Sequence, residues 1–251
     1  MGRRSEKGPP SAEVLEKLRG ASCATLWSFL GDVYHMEHVK PLMGDVKIVG
    51  PAVTVAYAEV HPGATPGQRA RERNRFGAPM HDAWDVVKPG DVIVGAGLGH
   101  INAGIFGDCL ATGFKAKGAI ALVSDASVRD YLGIKEAGIP AFTRGPPTPL
   151  SSSGGGIYPI DVNINVVCDG VAVKPGDIIV GDGDGIVVVP RELAEEVAEK
   201  AEAKEKLEAT SRKLLLEGKP LRECYPHLKK EYVKEYGLTK YWNIIHPEDK
   251  I

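Results

Sequence analysis

"VVKPGDVIVGAGLG" (86–99) returns, little altered, as "VAVKPGDIIVGDGDG" (171–185). In both copies Pro-Gly-Asp supplies a turn, and a Val/Ile-rich run leads from it into a glycine-rich loop. A short apolar run bounded by turn signals has the composition of a buried strand. Two copies in dissimilar surroundings are too few for a solenoid. They predict two equivalent strand–turn units within one α/β domain.

The glycines invite a nucleotide-binding reading that their spacing does not support. A dinucleotide fingerprint has G-x-G-x-x-G, with an acidic residue about twenty positions on, after a second strand. Here the spacing is G-x-G-x-G, and Asp108 arrives before any second strand. The loop at 181–185 runs into "IVVVP", a strand, where a phosphate site would need a helix. A calcium loop from Asp182 would place Ile186 and Leu193 at ligand positions. Backbone geometry is the better account, because glycine permits positive φ and close packing.

Between the copies, strand and helix patterns alternate as in βαβ units. "AGIFGDCLATGFKAKG" reads as a helix whose N-terminus lies near Gly107-Asp108, "GAIALVSD" as a strand, "SVRDYLGIKEAG" as a turn plus helix and "IPAFTRG" as a further strand. Upstream, "SAEVLEKLRG" starts on a Ser cap and breaks at Gly20 before a second helix, and "VKIVGPAVTVAYAEV" is one or two strands. "TPGQRARERNRFGAPMHDAWDVV" is polar and then helical, and "DVNINVVCDGVAV" is a hairpin turning at Asp169-Gly170. A long helix is expected from Pro190, at its first position, to Gly218. The chain divides into a disordered leader (1–10), a main domain (11–218) and an aromatic-rich extension (219–251). That extension needs a surface to cover, in its own subunit or a neighbour's.

Composition narrows the function classes. The 251 residues are 43% hydrophobic and 25% charged, with a net charge of −2, so a dedicated nucleic-acid surface is not expected. No apolar run reaches the roughly 18 residues of a membrane span, and "MGRRSEKGPPSAEV" has no apolar core of a secretion signal. Cys23, Cys109, Cys168 and Cys224 form no C-x-x-C pair, which argues for free thiols and a cytoplasmic protein.

Chemistry is concentrated in Asp108 and, after twenty intervening residues, Arg129-Asp130. A helix beginning at Gly107 offers backbone N–H groups at Gly107, Asp108, Cys109 and Leu110, at the positive end of its dipole. That is a seat for a carboxylate. If the strand "GAIALV" returns the chain to the helix start, Arg129 can reach the same anion with its planar fork. Asp130 is a hard oxygen ligand suited to Mg²⁺, and Asp108 is an N-cap candidate able to orient water. The bland alternative is a capping Asp and a surface Arg–Asp pair worth under about 1 kcal/mol. Asp125 has no such partner and reads as turn chemistry. His100 reads as a surface-loop residue, with a position facing the pocket as the alternative.

"GDCLA" followed by "KGAIALVSDASVRD" resembles the D-x20-R-D motif of the RraA-like family, which includes class II 4-hydroxy-4-methyl-2-oxoglutarate/4-carboxy-4-hydroxy-2-oxoadipate aldolases. The likeness spans roughly residues 25–200 and takes in "GPAVTV", "KPGDVIVGAG", "GIPAF" and "GDGDGIVVVP". It implies a layered β/β/α sandwich of the swivelling type, with a long C-terminal helix and helical tail. It also implies assembly as a homotrimer or hexamer with sites between subunits. The amides from Gly107 to Leu110 and Arg129 would bind the pyruvate part of a 2-oxo acid. Asp130 would ligate a divalent metal, Mg²⁺ with Mn²⁺ as the alternative, and Asp108 would contact water beside it. The implied activity is a metal-dependent lyase releasing pyruvate, with oxaloacetate decarboxylation as a related reaction. A competing class is the family's non-catalytic regulator that docks on a ribonuclease. A third, methyltransferase, rests only on the discounted glycine loop.

Overall fold

The computed structural model describes residues 8–61 and 63–251. Two helices open it, α1 (Ala12–Gly20) and α2 (Cys23–Leu30), each started by a serine hydroxyl. Ser11 Oγ accepts from the Val14 amide at 3.2 Å and Ser22 Oγ from the Thr25 amide at 3.0 Å. Short strands β1 (His35–Met36) and β2 (Lys40–Pro41) precede β3 (Ile48–Glu59), a single long strand. The Arg-rich segment is helical from its start, as α3 (Pro66–Arg75) and α4 (Pro79–Val86).

Then come β4 (Val92–Ala96), β5 (Gly104–Phe106), α5 (Asp108–Ala116), β6 (Ala121–Ser124), β7 (Ser127–Val128), α6 (Tyr131–Ala137) and β8 (Ala141–Thr143). The helix expected to start near Gly107-Asp108 does so, with Gly107 as N-cap and Asp108 as first residue, and the residues before it form β5. After β9 (Ile157–Val162), the expected hairpin is β10 (Val166–Cys168) and β11 (Val171–Val173), turning through left-handed Asp169 and Gly170. β12 (Ile178–Asp182) and β13 (Gly185–Val189) complete the strands.

The repeat governs the sheet. In each copy the Asp of Pro-Gly-Asp accepts from the preceding Lys amide, Lys88 to Asp91 and Lys174 to Asp177, both at 2.8 Å. Gly90 and Gly176 both sit at φ +91°, where a side chain would be strained. The strands that follow flank β3: β4 pairs with it in parallel from Ala52 and β12 pairs antiparallel from Pro51. The sheet order is β1-β13-β12-β3-β4-β6-β8-β2, with β9 added to the far end of β3.

Alternation along the strands sorts the layers. Val53, Val55 and Ile93 face the helical side, packed with Phe106, Phe114 and Ile134 from the α5–α6 region. Ala52, Val92 and Val94 face the opposite side, where Val166, Cys168, Val171 and Val173 of the hairpin lie over them. Helices α1, α2 and α7 (Ala194–Leu216) cover the antiparallel end through Val49, Ile178, Val180 and Val187. The result is the β/β/α sandwich expected.

Two boundaries differ from expectation. Pro190 does not open the long helix: Arg191–Leu193 form a 3₁₀ turn, because the Arg191 amide donates to Asp177 Oδ1 at 3.0 Å and holds the chain to the sheet. α7 therefore begins at Ala194 and ends at Leu216, two residues short of Gly218. Residues 1–7 of the leader lie outside the described residues, while Arg191 Nε donates to the Gly8 carbonyl at 2.9 Å. The extension forms α8 (Leu221–Cys224), α9 (Lys230–Glu235) and α10 (Thr239–Ile245). It covers its own subunit: Cys224, Leu228, Val233 and Trp242 pack on Leu207 and Leu214 of α7.

Asp182, closing β12, holds the start of α2. It accepts from the Cys23 amide at 2.8 Å, Lys47 Nζ at 3.1 Å and the Asp184 amide at 3.0 Å. Burial alone would raise its carboxyl, but the Cys23 amide, Lys47 and the Asp184 amide outweigh that and hold it below its ordinary 3.8. A depressed folded-state pKa gives stability that is present above 3.8 and lost as pH falls below it. Asp182→Asn is therefore expected to cost about 1–3 kcal/mol at neutral pH. Its deficit against the parent should shrink in acid, as measured by urea unfolding across pH. A gap independent of pH would contradict this role.

Candidate functional site

β5 and β7 form a separate two-stranded parallel ribbon on the helical side, pairing Gly104 with Ser127 and Phe106 with Val128. The Arg129 amide extends it, donating to the Phe106 carbonyl at 2.9 Å. This pairing sets the end of one connection beside the start of another. Gly107, the N-cap of α5, follows β5 directly, and Arg129-Asp130 follow β7. The twenty residues between the motif's halves hold the rest of α5 and the strands β6 and β7, and they bring the chain back to its starting point.

The approach is close. A Cβ on Gly107 would lie 3.0 Å from Asp130 Oδ2 and 3.3 Å from Arg129 Nε, so only glycine leaves this space open. Arg129 Nε donates to Asp130 Oδ2 at 3.0 Å, and both side chains are 43% exposed. Asp130 itself is left-handed, at φ 54° and ψ 43°, which is uncommon for a residue with a side chain. It stands at the N-cap position of α6, yet its carboxylate makes no cap bond. That carboxylate is turned toward Arg129 and Gly107 instead.

Asp108 is one position deeper in α5 than an N-cap. Gly107 takes the cap place, with extended backbone, and Asp108 is the first helical residue. Its Oδ1 accepts from the Cys109 amide at 2.6 Å. Its Oδ2 lies toward α6, 3.2 Å from where a Cβ on Gly133 would stand. The Asp108 carboxylate, through a hydrogen bond and its charge, raises the exposed Cys109 thiol above its ordinary value, which keeps it protonated and a poor nucleophile. Leu110 is half-buried against the core that contains Phe106 and Phe114.

The donor set suits a hard divalent ion. Asp130 and Asp108 offer carboxylate oxygens, and among the described residues no group of three His, Cys, Asp or Glu side chains forms a dedicated cage. Mg²⁺ is commonly held by one or two carboxylates plus substrate oxygens and water, so the residues present fit. The space over Gly107 is where a Cβ would otherwise stand.

Two features escape sequence reading. Gly104 and Gly133 admit the site's side chains: Cβ atoms there would approach Arg129 Cβ to 2.8 Å and Asp108 Cβ to 2.6 Å. A glycine inside a short strand or helix was the available signal. Asp125, read as turn chemistry, is instead a buried anchor. It accepts from the Gly97 amide at 2.6 Å, the Gly99 amide at 3.1 Å and the Asp169 amide at 3.2 Å. The amides of the glycine loop are thereby committed to the scaffold. His100 pairs with Glu59 at 3.1 Å on the surface.

Residues 12–188 match the RraA-like family, described as Aldolase/RraA. The chain belongs to the RraA-like family. Among its relatives, a Halalkalibacterium halodurans protein named "Putative 4-hydroxy-4-methyl-2-oxoglutarate aldolase" is 34% identical over 167 residues, covering 66% of this chain and 71% of that protein. An uncharacterized protein of Methanocaldococcus jannaschii is 31% identical over 191 residues, covering 75% and 83%. Of the solved structures, Streptomyces coelicolor RraAS2 superposes with a TM-score of 0.72 at 29% identity, covering 82% of this chain and 98% of that one. It is described as an unusual member of the RNase ES inhibitor RraA protein family. Among the described residues of this RraA-like chain, no helix is long and apolar enough to cross a membrane.

The packing of α5 on α6 is open to test. Gly133→Ala forces a Cβ against Asp108 and is expected to cost about 1–3 kcal/mol. Leu132→Ala, at a side chain 71% exposed on the same helix, should stay within about 0.5 kcal/mol. Urea denaturation compares the two, and equal effects would contradict the close approach.

Proposed function

We propose that this RraA-like chain is a divalent-metal-dependent lyase that cleaves a C–C bond of a 2-oxo acid and releases pyruvate, by retro-aldol cleavage or by decarboxylation of oxaloacetate. One observation carries the reading: the amide end of α5, the Arg129 guanidinium and the Asp130 carboxylate converge over Gly107. An anion seat beside an oxygen ligand is what chelation of a 2-oxo acid requires. The relatives named as aldolases support it.

The residues divide the work. The N–H groups at Gly107, Asp108 and Leu110, with Arg129, hold the substrate carboxylate in a fixed pose, while the Cys109 amide stays on Asp108 Oδ1. Asp130 is the residue that would hold Mg²⁺ or Mn²⁺, and such an ion supplies Lewis acidity to the 2-oxo group as the C–C bond breaks. The bond's electron pair passes to the pyruvate fragment as an enolate. Asp108, with Oδ1 engaged by Cys109, uses Oδ2 to orient a water that gives a proton to the methylene carbon, yielding pyruvate. In retro-aldol cleavage the water regains a proton from the substrate's 4-hydroxyl as the other fragment leaves as a carbonyl compound. In decarboxylation the hydroxide left is taken up by the released CO₂ as bicarbonate. Arg129 and Asp130 are 43% exposed, and Leu132 beside them is 71% exposed. That openness supports a site completed by a second copy in a homotrimer or hexamer.

A second reading, a non-catalytic regulator docking on a ribonuclease, has in its favour the description of RraAS2. A pyruvate-release assay with oxaloacetate and with 4-hydroxy-4-methyl-2-oxoglutarate separates the two. The lyase reading expects turnover with Mg²⁺, its loss in EDTA, and a fall of at least about 100-fold in Asp130→Ala. Absent turnover would leave the regulator, and turnover unchanged by EDTA and the substitution would overturn the metal-dependent mechanism.

A further inference from the structure

Arg129 and Asp130 are already engaged with each other. Arg129 Nε donates to Asp130 Oδ2 at 3.0 Å, and among the described residues neither side chain has another ion-pair partner. The carboxylate that would take a divalent cation is thus neutralised by a guanidinium. The guanidinium that would take a substrate anion is spent on that same carboxylate. The fold does not depend on this contact: Asp130 stands at the N-cap position of α6 without capping it, and both side chains are 43% exposed. An exposed pair of this kind is weak and readily exchanged.

The charges around Gly107 decide what can exchange with it. A Cβ there would lie 3.0 Å from Asp130 Oδ2 and 3.3 Å from Arg129 Nε, so both groups border one space, with Asp108 following directly in α5. A cation arriving alone at Asp130 meets the like charge of the guanidinium. An anion arriving alone meets the carboxylates of Asp108 and Asp130. Arriving together, each finds a partner of opposite sign, and at these separations such charges interact appreciably even near solvent.

We propose that Arg129 is a built-in counter-ion that stands in for the cation on Asp130 and so makes cation binding and 2-oxo acid binding conditional on each other. When both ligands bind, the guanidinium turns its charge from Asp130 to the substrate carboxylate. The coupling is reciprocal, as any linkage between two ligands must be. This inference rests on the metal-dependent reading above and adds a regulation to it: a simple anion or a free divalent cation leaves the pair closed.

Oxalate chelates a metal directly and would couple the two ligands by itself, so the test omits every carboxylate. The probe is Mn²⁺ added to the full chain, followed by the electron paramagnetic resonance signal of the free ion. Arg129→Gln is expected to bind Mn²⁺ about three- to fivefold more tightly than the parent, a gain that a damaged fold does not produce. Lys135→Gln, which removes the same charge from the last turn of α6, should leave the affinity unchanged. Asp130→Asn should abolish binding with Arg129 present or replaced. Arg129→Met gives the same comparison if the glutamine variant does not fold. Asp130-dependent binding that is equal or weaker without Arg129, or a Lys135→Gln gain of the same size, overturns the counter-ion role and leaves the lyase reading standing. Mn²⁺ binding that is absent throughout, or indifferent to Asp130→Asn, overturns both.

Discussion

A buried carboxylate ties the framework together. Asp125, 4% exposed, sits where β6 has ended and β7 has not begun. It accepts backbone N–H groups from the glycine loop after β4 and from the hairpin turn at Asp169. Burial raises its carboxyl above the ordinary value, against the opposing pull of the Asp169, Gly97 and Gly99 amides. The Gly97 amide would otherwise be a buried donor lacking an acceptor, at a cost of about 1–3 kcal/mol. The hairpin turn is held in its turn, since the Asp169 carboxylate accepts from the His38 amide at 2.7 Å and faces Arg144 at 3.5 Å.

The consequence for the site is geometric. Four residues after Asp125 the chain reaches Arg129, so fixing Asp125 fixes where β7 pairs with β5 and where its last residues emerge. The repeat acts at the opposite end of the strands, through the matched turns at Asp91 and Asp177. With the strands pinned at both ends, the start of α5 meets Arg129-Asp130 without a dedicated loop to position them. Glycines at 104, 107 and 133 provide the clearance.

Much of this was legible in the residues. The duplicated Lys-Pro-Gly-Asp and the alternating Val/Ile runs predict strands, and the spacing of Asp108 from Arg129-Asp130 predicts a return crossover. What was not legible depends on contacts distant in sequence. Asp125 looks like a turn residue, because its partners lie 28 and 44 positions away. Pro190 looks like a helix start, because nothing local reveals that Asp177 captures the Arg191 amide. Asp108 looks like an N-cap, yet Gly107 takes that place and leaves the carboxylate beside α6. The short strand β5, just before the expected helix start, was not read, since three residues carry too little periodicity to register.

In the proposed function the α5 N-terminus, Arg129 and Asp130 make one seat for a chelating anion and its metal, kept open by the missing side chain of Gly107. The most direct measurement is calorimetric binding of oxalate, a planar stand-in for the pyruvate enolate, with and without Mg²⁺, to the parent chain and to Gly107→Ala. Mg²⁺ is expected to tighten oxalate binding to the parent, and Gly107→Ala to weaken it at least about tenfold, equivalent to about 1.4 kcal/mol, with thermal stability retained. Equal affinity in the folded variant, or oxalate binding indifferent to Mg²⁺, would contradict it.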